Sequence, residues 1–169
     1  MRILLTGKTG QLGWELFQHL RREHDVLAIG REEIDFLDTH LMKSMLKTLP
    51  DIDLIVNAAG YTDIDKAEEE PFVAETINAE AVAILAAEAS RRKIPMVHFS
   101  SDQVFSGWRR TWAYREEEAP VPASLYGWTM LEGERRLRSK LKKHLIFRLS
   151  GLYGLRRKNF FTEIVERNR

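Results

Sequence analysis

The run Thr6-Gly7-Lys8-Thr9-Gly10-Gln11-Leu12-Gly13 is a G-x-x-G-x-x-G loop behind the apolar stretch MRILL and ahead of an amphipathic one. In that setting it suits a pyrophosphate: Gly7 permits a tight turn, Gly10 lets the backbone approach the phosphates, and Gly13 lets a helix pack closely on a strand. The free N–H groups of a helix opening at Gln11 and Leu12 would then face the negative charge. Lys8 does not make a Walker loop, because no Gly-Lys-Ser/Thr follows at the required spacing. Further on, AIGREEIDF places Gly30 and Arg31 where a dinucleotide fold meets the adenine ribose. A guanidinium there suits the 2′-phosphate of NADPH, where an acid would select NADH; a solvated loop arginine is the alternative. Asp35 and Phe36 could flank the adenine by hydrogen bond and ring contact. Asn57-Ala58-Ala59-Gly60, followed by Tyr61, offers small residues against which a flat cofactor can lie, although Ala-Ala-Gly is also a packing feature. In HFSSDQVF, Ser100 is expected at the cofactor and the hydroxyl of Ser101 could face a substrate carbonyl; taken alone, Ser101 reads rather as a turn serine.

These groups need a frame, and the chain supplies one. Apolar runs of strand length, at Ile3 to Thr6, Val26 to Ile29, Leu54 to Asn57, Met96 to Ser100 and Leu145 to Leu149, alternate with stretches of helical period. The helical stretches are Gln11 to Arg22, Thr39 to Leu49, Phe72 to Arg92 and Ser124 to Lys142. Such alternation predicts an α/β fold with a doubly wound, Rossmann-type parallel sheet of strand order 3-2-1-4-5-6, with Ile34 to Phe36 as a candidate edge strand. From Phe105 to Pro122 the rhythm breaks, and the prolines and charges predict an ordered excursion beside the ligand cleft.

Residues 1–169 are expected to form one NAD(P)-binding domain, since 169 residues are enough for one sizeable core but not comfortably for two. A net charge of +1 leaves no field to attract nucleic acid or an acidic membrane. The absence of cysteine rules out disulfides and thiolate metal sites, and no long apolar segment reads as a membrane anchor, so a cytoplasmic location is expected. The acidic run from Asp63 to Glu70 reads as a solvated helix start rather than a metal site, the histidines lack ligand spacing, and no metal is assigned. Trp108 and Trp112 in WRRTW are too few for a nucleic-acid stacking platform.

In order and separation, TGKTGQLGWEL, NAAGYTDIDKAEEEP, INAE, HFSSDQVFSG, YREEEAPVPASLYG and NFF closely resemble dTDP-4-dehydrorhamnose reductases, a branch of the extended short-chain dehydrogenases. The resemblance runs from Met1 to about Phe161 and implies hydride transfer from NADPH or NADH to the C4 ketone of a nucleotide sugar, giving dTDP-rhamnose for cell-surface polysaccharide. It implies that Ser101 holds the carbonyl oxygen and that Tyr126 supplies its proton. The family's Lys, four residues after that Tyr, grips the nicotinamide ribose; here the position is Met130. Methionine has neither donor nor charge, so it can neither hold the ribose nor lower the phenol pKa. Gln103 replaces the Tyr of S-[ST]-D-Y-V-F, and Gly151 replaces an aromatic near the sugar. The family continues past the equivalent of Arg169 into a substrate lobe, so the resemblance implies an incomplete lobe here; a homodimer, or a partner chain that completes the lobe, is the candidate assembly. The readings are a reductase impaired at Met130, a non-catalytic NADP(H)-binding subunit, or a truncated inactive relative.

Overall fold

The computed structural model of the chain describes residues 1–108, 112–154, 156 and 159–167. Five strands, β1 (Arg2–Thr6), β2 (Asp25–Ile29), β3 (Leu54–Asn57), β4 (Met96–Ser101) and β5 (His144–Leu149), form one parallel sheet in the order β2-β1-β3-β4-β5. The register pairs Ile3 with Val26 and Leu54, Ile55 with Met96, and Met96 with His144. This is the expected doubly wound order without its outermost strand. Ile34 to Phe36 is not a strand but part of a turn-rich segment after β2, and Ile34 and Phe36 are buried against Met42 and Leu46 in the main core.

The described α-helices are α1 (Gln11–Leu20), α2 (Thr39–Thr48), α3 (Ile64–Glu69), α4 (Pro71–Glu75), α5 (Ala81–Arg92), α6 (Leu125–Lys140) and α7 (Phe160–Arg167), and a 3-10 turn, Asp102–Val104, follows β4. The side chains of Phe160 and Phe161, in the NFF motif, lie outside the described residues. Alternate residues of the strands point to opposite faces. Leu4, Ile55 and Met96 join α2, α5 and α6 in the main core, while Ile3, Leu5 and Val56 meet Leu16, Phe17 and Leu20 of α1 on the other face. The buried strands need no polar face, which is why they read as apolar runs.

The stretch expected as one helix from Phe72 to Arg92 is helical throughout but not uniform, since a π-helical turn, Thr76–Glu80, joins α4 to α5. The extra residue in that turn rotates the side chains of α5 relative to those of α4, and such turns gather at functional sites. Side chains cap the starts of four of these helices: Asp38 accepts from Leu41 N at 2.9 Å, Asp63 from Lys66 N at 3.1 Å, Ser124 from Gly127 N at 3.1 Å and Asn159 from Thr162 N at 3.2 Å. Gly10, at the start of α1, provides no such cap. Among the described residues no helix is long and apolar enough to cross a membrane.

Candidate cofactor and active site

The parallel sheet puts the carboxyl ends of its strands along one edge, and the loops that leave them converge there. Gly7, Gly10, Gly30, Arg31, Asp35, Phe36, Ala58, Ala59 and Gly60 line one cleft of about 250 Å³, together with Thr9 and the apolar Ile29, Ile34 and Ile77. Gly7 has φ +78, and a Cβ on it would stand 2.5 Å from Ala58 O, so only glycine lets the loop lie this close to the end of β3. Gln11, Leu12 and Gly13 form the first turn of α1, and their N–H groups face no capping side chain. A floor of small residues, an apolar wall, uncapped helix donors and a cation fit a dinucleotide such as NADP(H).

Phe36 serves the core as well as the cleft, being only 9% exposed. Asp35 accepts the Leu37 N–H at 2.9 Å, which shapes the turn. Tyr61 lies outside the cleft lining; its N–H donates to Asn78 Oδ1 at 2.8 Å and its hydroxyl to Glu70 Oε2 at 2.7 Å. The Glu70 carboxylate pushes that phenol up to about 12, which keeps it a neutral donor. The acidic run thus has local uses, since Asp63 caps α3 and Glu68 accepts the Leu125 N–H at 2.7 Å where α6 begins.

Ser101 ends β4 and Tyr126 lies in the first turn of α6, and both are buried. The two segments approach because Gly127 has no side chain: a Cβ there would stand 2.2 Å from Gln103 O. Burial raises the Tyr126 phenol pKa, and the neighbouring Ser101 hydroxyl pulls it partly back. Met130 follows one turn along α6, packed with Ala67, Ala74, Val104, Tyr126 and Leu131. Ser100, beside Ser101, turns the other way and donates to Glu134 Oε1 at 2.7 Å. At the start of the excursion Phe105 stacks on Tyr114 at 4.3 Å, with the Arg148 guanidinium 4.9 Å from the Phe105 centroid. Trp108 and Trp112 are exposed, and Arg109, Arg110 and Thr111 between them lie outside the described residues.

Sequence reasoning overlooked three polar devices. Asn78, in the π turn, takes the Tyr61 N–H and returns donors to Tyr61 O and to Thr129 Oγ1, both at 3.1 Å, while Thr129 donates to Tyr126 O at 2.8 Å. It therefore ties the end of the Ala-Ala-Gly segment to the turn that carries Tyr126. Beneath the cleft, Asn57 Oδ1 accepts from Thr6 Oγ1 at 2.5 Å and from the Ala59 N–H at 3.2 Å, and Asn57 Nδ2 meets His98 Nδ1 at 3.0 Å. The third is the Glu134 carboxylate, which Arg148 grips from Nε at 2.9 Å and from Nη2 at 2.7 Å.

His98 is 2% exposed, and burial lowers its pKa from 6.5 to about 4. The unfolded chain binds the proton first, so stability from the neutral imidazole is fully present above pH 6.5 and declines as the pH falls towards about 4. We expect a loss of about 3 kcal/mol across that window. Urea unfolding of the protein and of His98→Gln checks this, with the variant losing the slope between pH 6.5 and about 5.5, above the ordinary carboxylate value of 4.5.

The model of the RmlD substrate binding domain matches residues 1–169. The dTDP-4-dehydrorhamnose reductase of Salmonella typhimurium is 40% identical over 163 residues, 95% of this chain and 54% of that protein. The chain thus spans about half the length of the curated relatives it matches. Among solved structures, a dTDP-4-dehydrorhamnose reductase from Bacillus anthracis in complex with NADP superimposes with a TM-score of 0.92 at 29% identity, covering 99% of this chain and 60% of that one. Its counterpart from Clostridium acetobutylicum gives 0.92 at 31%, covering 98% and 59%. With the family's model matched over residues 1–169, the chain belongs to the dTDP-4-dehydrorhamnose reductase family.

Proposed function

We propose that the chain carries the NADPH-binding and acid–base half of a nucleotide-sugar 4-ketone reductase, acting on dTDP-4-dehydrorhamnose to give dTDP-rhamnose. The observation that supports this reading is a cleft of dinucleotide-binding lining at the carboxyl ends of β1 and β3, with the buried Ser101 at the carboxyl end of the neighbouring β4 and the buried Tyr126 beside Ser101. Gly7, Gly10 and the first turn of α1 hold the pyrophosphate, Asp35 and Phe36 border the adenine, and Ala58, Ala59 and Gly60 back the cofactor. NADPH, when bound, supplies the hydride. Ser101 donates a hydrogen bond to the ketone oxygen, and Tyr126 donates the proton that converts this oxygen to a hydroxyl. A phenol kept neutral by burial suits the donor role in reduction, because the proton must still be in place when the carbonyl arrives. The site lacks a charged group at Met130 to hold the ribose and restore the phenol between turnovers.

Met130 also supports a second reading, an NADP(H)-binding protein without turnover. Thermal unfolding with NADPH, and then with NADH, tests what the two readings share. Ligand at about a hundred times its dissociation constant adds roughly 2.7 kcal/mol to the folded state, which in a domain of this size is a shift of several degrees. An upward shift with NADPH is expected, and its absence with both nucleotides would overturn both readings. Turnover with the nucleotide sugar then selects the first reading, and affinity without turnover the second.

A further inference from the structure

The tip of β2 carries no side chain, and the space is used from elsewhere. A Cβ built on Gly30 would come within 3.4 Å of Lys8 Cγ and Cε and 3.3 Å of Thr9 Cγ2, so the Lys8 stem lies over the glycine. That is the place where a dinucleotide fold commonly stations a carboxylate for the ribose 2′-hydroxyl. The Lys8 backbone is fixed by its N–H to Ile29 O at 3.2 Å, and Lys8 Nζ reaches Glu33 Oε1 at 2.5 Å. The other Glu33 oxygen accepts the Gly30 N–H at 2.7 Å. Glu33 is thereby clamped at the strand tip, with an ammonium on one oxygen and a backbone amide on the other. Arg31, next to Gly30, lines the cleft at the same corner.

We propose that Lys8 is the second cation of a 2′-phosphate subsite, beside Arg31, and that Glu33 is the counter-ion that holds Lys8 in place until a phosphate takes over. The proposal rests on the NADP(H) reading of the cleft. The side chains of the pair are 30% and 38% exposed, so their mutual attraction is well screened and exchange for another anion is cheap. A phosphate monoester brings more charge and more acceptors than a carboxylate, and an ammonium with three protons can bridge both during the exchange. NADH has only a hydroxyl at this position, so it leaves Lys8 on Glu33. Discrimination between the two cofactors then lies in this exchange and in Arg31, with no acidic side chain on Gly30 to oppose the phosphate.

The test is the dissociation constant of NADPH and of NADH, measured by calorimetry on the unaltered chain and on Lys8→Met, Lys8→Arg and Glu33→Gln. Lys8→Met should weaken NADPH by about tenfold and leave NADH within about twofold. Lys8→Arg should keep the preference, because it keeps the charge. Glu33→Gln retains an acceptor for the Gly30 N–H but frees Lys8, and should tighten NADPH severalfold. If the unaltered chain binds NADPH and Lys8→Met shifts both cofactors equally, or neither, the proposal fails while the cofactor reading stands. If the unaltered chain binds neither nucleotide, both fail together.

Discussion

Replacing Met130 by lysine should raise turnover of the nucleotide-sugar ketone by about 10²-fold, the lower end of what a well-placed acid–base group contributes. The same change should make the ligand-free protein less stable. Met130 is 6% exposed among Ala67, Ala74, Val104, Tyr126 and Leu131, so a lysine there sets an ammonium into an apolar cluster. It must stretch towards the cleft or give up its proton, at a cost on the order of 2 kcal/mol. Once the cofactor ribose is present the lysine gains hydrogen-bond partners, so NADPH should recover more stability in the variant than in the unaltered chain. Steady-state rates with saturating NADPH, and melting curves with and without it, measure both effects. Adding Tyr126→Phe to the lysine variant should abolish the gain, because the lysine acts through the phenol. A lysine variant that binds NADPH and turns over no faster would show that the deficit lies elsewhere.

Much of this molecule was legible because its chemistry sits where local patterns are strong. The inner strands β1, β3 and β4 are apolar runs since both their faces are covered, and the glycine loop declares itself by spacing next to the first of them. The cleft then gathers residues from three separate segments singled out by sequence reasoning, the glycine loop, Gly30 to Phe36 and Ala58 to Gly60, and adds Ile77. Ile34 and Phe36 misled for a physical reason: alternating apolar residues suggest a strand, but the same alternation serves a turn that drops two side chains onto α2. The π turn was invisible because one extra residue barely disturbs a helical period. Asn78 acquires meaning only from partners 17 and 51 positions away. Ser100 and Ser101 are alike in composition and opposite in direction, which only the pleat of β4 decides. Glu134, among the charges of α6, reads as one more solvated carboxylate until β5 brings Arg148 to it.

Removing that carboxylate should be the most damaging single change outside the cleft. Glu134 is 1% exposed and accepts from Ser100 Oγ at 2.7 Å and from Nε and Nη2 of Arg148. Burial alone would raise its pKa, but the hydrogen bonds from Arg148 and Ser100 outweigh burial and hold the carboxyl below its ordinary value of 4.5. Its contribution to stability is therefore present above pH 4.5 and lost as the pH falls through the lowered folded-state value. Glu134→Ala strands the guanidinium between β5 and the Phe105 ring and leaves the Ser100 hydroxyl without its acceptor, a loss of about 3–5 kcal/mol. Denaturant midpoints at neutral pH measure it. The pair itself is a different matter, because its Coulomb attraction is largely offset by the desolvation of two charges. Glu134→Leu combined with Arg148→Met should consequently recover most of the loss. A double variant as unstable as Glu134→Ala would mean that Arg148 is held by its contact with Phe105 rather than by the carboxylate. Turnover should part from stability here: a refilled core restores folding, but Ser100 no longer has a fixed partner, and the strand end that positions Ser101 for its proposed role loosens.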